Sequence, residues 1–336
     1  CGLIEALRAR VPDPAVTDLR TLWSILTEGE SSSWWRTRRR SMRRSSDPRR
    51  TGPVIARDTS LYGREPLLAR IRGNFDRLRD GRGRVLLITG EAGIGKTRLL
   101  SESLERLERD GEDFHFLFGS YAPSTGVSEA GAVLHAYHGF LGEADLEAGL
   151  TDYLADAPLL REPLRAFLSG TAEGGETSRT GFDLVQRGLI QLTHAIAAER
   201  PTVIWIDDLH FASSDGLDLF AALAQAVAGS RVLLVGTLRP TLPPEWTANL
   251  VRLEHASECS VPRLGEPDVR RLLSEALASR PLAEELAPGL MQRSDGNPLF
   301  LLEVLRALDV QGGLSEDAWR TRLRLSELST PGTIQR

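Results

Sequence analysis

Eight consecutive residues, Gly90, Glu91, Ala92, Gly93, Ile94, Gly95, Lys96 and Thr97, place glycine first and sixth, then lysine and threonine. Glycine reaches backbone angles closed to other residues, so successive N–H groups of such a loop can turn inward and cradle phosphate oxygens. A helix starting at the end of the loop adds unpaired N–H groups and the positive end of its dipole. In that setting the Lys96 ammonium is expected to neutralise the β- and γ-phosphates of a nucleotide and the Thr97 hydroxyl to ligate Mg²⁺. Arg98 completes the expected nucleotide contacts on the same helix start. The competing reading is a plain glycine-rich turn.

Phosphate chemistry with a metal also needs an acidic group to hold the ion through its water shell. Residues 202–206 read as a short apolar strand ended by Asp207 and Asp208. Asp207 is therefore expected to emerge at the carboxyl edge of a sheet, the edge the loop requires, and to share the metal with Thr97. Asp208 is the candidate to orient or deprotonate an attacking water. Alone, the pair also fits a strand-ending turn. Thr237 and Arg239 close a further apolar run, where a polar side chain can sense a γ-phosphate and an arginine can stabilise its charge. A surface salt bridge is the other reading of Arg239, and a packing role the main one for His210.

These residues need a scaffold. Leu67, Leu68, Ile71, Phe75 and Leu78 recur at helical spacing and predict a helix over 65–78. Residues 84–89 read as a strand buried on both faces, followed by a helix from Lys96 to 109 and a strand over 114–118. Residues 122–199 look mostly helical, broken by a Gly/Thr/Ser-rich loop near 169–180. A helix is predicted over 214–227 and a fourth strand over 231–237; beyond 264 only helices are predicted, near 267–278, 282–293 and 299–308. The alternation describes an α/β protein with a doubly wound, mainly parallel sheet followed by a small helical domain. His135 and His138 lie one helical turn apart, with no third ligand at a metal-binding spacing.

Composition fits an ordinary globular chain: 41% hydrophobic, 26% charged, net charge −5, with a pI of 5.8. That balance excludes a large positive field for non-specific nucleic-acid or membrane binding. Cys1 and Cys259 fit neither a disulfide framework nor a metal-ligand spacing, so a reducing compartment, the cytoplasm, is expected. No apolar run is long enough to span a bilayer. The Ser- and Arg-rich stretch over 28–52, with Arg36 to Arg50 beside Trp34 and Trp35, reads as a linker or as a local contact for phosphate backbones or a membrane surface. With no Met at position 1 and no helix-ending signal near Arg336, both ends read as cuts from a longer protein. The expected domains are 1–57 as helix and linker, 58–263 as nucleotide domain, 264–312 as helical lid, and 313–336 as the start of a following domain.

Five ordered segments carry a family resemblance: residues 61–65 around Gly63, Arg64 and Glu65, the loop 90–97, the string 206–212, the turn 237–240 and the Gly296, Asn297, Pro298, Leu299, Phe300 segment. The chain resembles the ATPase module of the STAND class, signal-transduction ATPases among the AAA-related P-loop proteins. It is especially similar to modules of large ATP-binding LuxR-type regulators and of multidomain bacterial Ser/Thr kinases and adenylate cyclases. The resemblance spans about 61–300. It implies that Gly63, Arg64 and Glu65 line the adenine side, Arg239 senses the γ-phosphate, and Pro298 sets the lid against the base. It further implies an ATP/ADP switch with Mg²⁺, slow hydrolysis, ATP-dependent self-association, and fused sensor and output domains. A continuously cycling P-loop ATPase and a nucleotide-binding module without turnover are the other readings. No Leu-Ser-Gly-Gly-Gln signature or Asn-Lys-x-Asp guanine reader is present.

Overall fold

The computed structural model describes residues 60–121, 131–142, 146–170 and 179–308. The Arg-rich stretch, the helix expected near 18–26 and residues 313–336 lie outside them. Strands β1 (Arg84–Thr89), β2 (His115–Ser120), β3 (Thr202–Asp207), β4 (Val232–Leu238) and β5 (Ala256–Ser260) form one sheet in the order β2-β3-β4-β1-β5. In chain order the α-helices are α1 (Glu65–Asp76), α2 (Lys96–Arg109), α3 (Gly131–Leu141), α4 (Leu146–Tyr153), α5 (Arg161–Leu168), α6 (Arg179–Glu199), α7 (Ser214–Ala226), α8 (Pro244–Val251), α9 (Glu266–Leu277), α10 (Arg280–Ser294) and α11 (Pro298–Leu308). The mainly parallel, helix-flanked sheet expected from the alternation is what the chain forms.

Among the described residues, 81–85 and 114–236 pack as one compact unit, and 60–80, 86–113 and 237–308 as another. In the first, β2 and β3 run parallel with Ser120 level with Asp207, and β3 and β4 run parallel with Ile206 level with Gly236. Every residue of β3 and β4 is buried, which explains their predominantly apolar sequences. Helix α7 starts at a Ser213 cap, whose hydroxyl oxygen accepts the Gly216 N–H at 3.2 Å, and Asp215 sits in its first turn.

In the second unit, α2 buries Leu99, Leu100, Leu104 and Leu107 along one face. Helices α9, α10 and α11 build a separate apolar core from residues such as Val269, Leu273, Ala276, Leu286, Leu290 and Leu305. Tyr62 packs against that core, and its hydroxyl donates to the Glu275 carboxylate at 2.9 Å. Ser60 donates to the same carboxylate through its N–H at 2.7 Å and its hydroxyl at 3.0 Å. Glu275 thus ties the segment before α1 onto α9.

Two elements were not expected. Helix α8 buries only Leu250, and β5 buries only Cys259. Neither offers the apolar run or helical stripe that makes an element visible in hydropathy. The β5 end is fixed by backbone pairing, since the Val261 N–H donates to the Thr89 carbonyl at 2.8 Å.

Candidate functional site

The glycine-rich loop leaves the buried end of β1 and enters α2. The Gly90 N–H donates to the Leu238 carbonyl at 3.3 Å, and Ile94 N–H to the Glu91 carbonyl at 3.4 Å. Gly93 (φ 72°) and Gly95 (φ 98°) occupy the left-handed region, which a side chain makes costly. Gly95 is also the residue before the first turn of α2 and supplies no side chain to cap it. The loop's backbone therefore requires glycine at these two places.

Lys96 opens α2 with its side chain turned back into the loop. Its Nζ donates to the Gly90 carbonyl at 2.9 Å and the Glu91 carbonyl at 3.0 Å, and the residue is only 7% exposed. An ammonium so enclosed needs acceptors to offset its lost hydration, and the two loop carbonyls supply them. Thr97 and Arg98, next on the helix, are exposed.

Beneath the loop lies Arg64, 2% exposed, whose Nη2 donates to the Ile94 carbonyl at 3.5 Å. Burial lowers its pKa, and the nearby Asp268 carboxylate opposes that shift. Gly63 packs so closely on the same carboxylate that a Cβ would lie 2.3 Å from its Oδ2.

The segment before α11 meets the loop from the other direction. The Asn297 Nδ2 donates to the Ala92 carbonyl at 3.0 Å, while its Oδ1 accepts the Leu299 N–H at 3.1 Å, capping the helix that Pro298 opens. The Leu299 N–H also reaches the Gly93 carbonyl at 3.3 Å. A Cβ on Gly93 would lie 2.6 Å from the Leu299 Cβ, so only glycine lets the two backbones approach this closely. Gly296 (φ 74°) turns the chain between α10 and α11, with its carbonyl accepting from Leu264 N–H at 2.8 Å.

Thr237 is fully buried in β4, and Arg239 follows that strand, half-buried. The second unit thus brings Gly63, Arg64, the loop and Pro298 into one neighbourhood. In the first unit, Asp207 ends β3 at 6% exposure, its carbonyl accepting from Tyr121 N–H at 3.1 Å. Asp208 adopts a left-handed backbone, φ 57° and ψ 42°, and its Oδ1 lies 3.7 Å from His210 Nδ1. The His210 ring packs on Phe211 with centroids 4.0 Å apart.

Sequence reasoning missed Arg263. Its guanidinium grips both Glu91 carboxylate oxygens at 2.7–3.2 Å and also pairs with the Asp295 carboxylate. One surface arginine whose acidic partner lies 172 positions away leaves no local signature.

The chain is 27% identical over 292 residues to an uncharacterised protein of Rhizobium meliloti (strain 1021), an alignment covering 82% of this chain and 27% of that protein. It thus spans about a quarter of that relative's length. Among solved structures it is similar to the Aeropyrum pernix ORC1 protein in complex with DNA, at 16% identity and TM-score 0.47, covering 80% of this chain and 66% of that one. It is similar also to a Pyrococcus horikoshii STAND protein with a tetratricopeptide repeat sensor, at 19% identity and TM-score 0.42, covering 85% and 35%. The family model described as AAA ATPase domain matches residues 60–235, more than half the sequence, and the chain belongs to that family.

Proposed function

We propose that the chain is the ATP-binding, slowly hydrolysing switch module of a STAND-type bacterial signal-transduction or transcriptional regulator, working in the cytoplasm. The observation that carries this reading is the Lys96 ammonium, held inside the glycine loop by the Gly90 and Glu91 carbonyls, where nucleotide phosphates would meet it. The contacts of Asn297 and Leu299 with Ala92 and Gly93 support it too, because they let a change in the loop reach α11.

In this reading the loop amides of 90–97 and Arg98 hold the phosphates, and Gly63, Arg64 and Pro298 border the base. The Thr97 hydroxyl would ligate Mg²⁺ and the Asp207 carboxylate would hold it through its water shell; when bound, the ion would neutralise charge on the phosphate oxygens. Asp208 orients the attacking water and accepts its proton; Arg239 stabilises the γ-phosphate charge. The helices α9 to α11 act as a lid, and contacts available only to ATP shift the population of lid positions. Fused sensor and output domains, together with ATP-dependent self-association, complete the switch.

Titration with a fluorescent ATP analogue tests the reading. The wild-type chain should retain nucleotide and turn it over on the order of 10⁻³ per second, as unassisted switch NTPases do. Lys96→Ala should weaken binding by at least about 100-fold, the loss of charge-assisted phosphate bonds, while leaving thermal unfolding nearly unchanged. Steady cycling at about 1–100 per second, or unaltered binding in Lys96→Ala, would overturn it.

A further inference from the structure

Three consecutive loop residues are each held from outside the loop. Glu91 is held through its carboxylate by Arg263, Ala92 through its carbonyl by the Asn297 amide, and Gly93 through its carbonyl by the Leu299 N–H. Only the first contact is between charges. Four N···O distances of 2.7–3.2 Å make it a two-pronged grip, the geometry that distinguishes a specific arginine–carboxylate pair from a casual surface one. Arg263 also contacts Asp295, which sits in a left-handed conformation (φ 46°) at the end of α10, directly before the Gly296 turn. The position of Arg263 is itself set by the backbone, because two residues earlier Val261 N–H is bonded to Thr89 at the end of β1.

Glu91 is electrostatically unfavourable beside a phosphate site. It places a negative carboxylate one residue into a loop whose task is to receive anions, and an unneutralised charge there repels them. We propose that Arg263 is a positioning residue for the nucleotide: it neutralises and fixes Glu91, and through Asp295 ties the setting of the loop to the turn that leads into α11. Its presence slows nucleotide release. This rests on the loop being the nucleotide site, and it adds a determinant of residence time that the glycine-rich motif does not contain.

Stopped-flow release of a fluorescent ADP analogue from the 336-residue chain tests it, using wild type, Arg263→Gln, Arg263→Lys, Glu91→Gln and the Glu91→Gln/Arg263→Gln pair. Arg263→Gln leaves Glu91 uncompensated and should speed release by about five-fold or more. Arg263→Lys keeps the charge without the fork and should lie between it and wild type. Once Glu91 is glutamine, removing Arg263 should matter much less, so the pair should release close to the rate of Glu91→Gln. The gap between Arg263→Gln and wild type should also narrow between about 0.05 M and about 0.5 M salt, as screening replaces the ion pair. A purely structural role predicts multiplicative effects, no salt dependence and losses that track melting temperature, and that pattern overturns the proposal. So does an unchanged release rate in Arg263→Gln. A wild-type chain that fails to hold the analogue at all counts instead against the nucleotide site.

Discussion

At Asp208 a left-handed backbone coincides with the chemistry proposed above. A left-handed backbone costs a typical L-residue about 1 kcal/mol or more, but aspartate and asparagine tolerate it because their short side chains bond locally. The conformation turns the chain sharply out of β3 and keeps the Asp208 carboxylate one position beyond the buried Asp207. Asparagine preserves that tolerance and shape while removing the charge. Asp208→Asn should therefore lower ATP hydrolysis by about 100-fold, the usual contribution of a positioned base, with little change in melting temperature. Asp208→Ala should lose stability as well, because alanine does not share the tolerance of aspartate and asparagine for the left-handed region. Phosphate release assays beside thermal melts separate the two, and full activity in Asp208→Asn would remove the residue from the chemistry.

At the scale of elements, the turn between α10 and α11 leaves no room for a side chain. A Cβ at Gly296 would lie 2.2 Å from the Leu264 carbonyl oxygen, on a backbone already at φ 74°. Gly296→Ala should cost about 1–3 kcal/mol in urea unfolding, and it should disturb Asn297, the next residue, and so weaken nucleotide retention. How far such elements can be read from sequence depends on what stabilises them. Strands β1, β3 and β4 are buried on both faces, and α2 carries a leucine stripe, so hydropathy alone reveals them. The loop is legible because glycine, lysine and threonine have few reasons to stand in that order, whereas Gly63, Arg64 and Pro298 enter only through the family resemblance. Strand β5 is legible only in its backbone pairing, since of Ala256 to Ser260 just Cys259 is buried. Arg263 is legible only in three dimensions, because nothing near it in sequence names Glu91 as its partner.

On the scale of the whole molecule, all four tyrosines of the sequence are held protonated beyond their ordinary pKa of 10.0. Burial is the first cause in each. For Tyr62 and Tyr153 the phenol's bond to a carboxylate, Glu275 or Glu199, adds to it, whereas the Tyr137 bond to Thr193 at 2.5 Å opposes it. The sign follows directly. Below pH 10 both folded and unfolded chains keep these protons, so the contribution to stability is complete. Above it the unfolded chain releases protons that the folded chain retains, and stability falls with rising pH. Alkaline titration followed by phenolate absorbance should therefore show Tyr121 and Tyr137 ionising only with loss of the circular-dichroism signal, and Tyr62 and Tyr153 ionising above their ordinary value. Four separate titrations near pH 10 in a folded chain would contradict the burial described for Tyr121 and Tyr137.

The enclosed ammonium of the glycine loop has one more implication, because Lys96 is the only lysine among these 336 residues. An amine-selective acylating reagent thus has a single side chain to find. Its yield at one peptide should fall when ATP is present and recover when the nucleotide is washed away, giving a mass-spectrometric gauge of occupancy without any engineered label. A yield indifferent to ATP would mean that the triphosphate never reaches that amine.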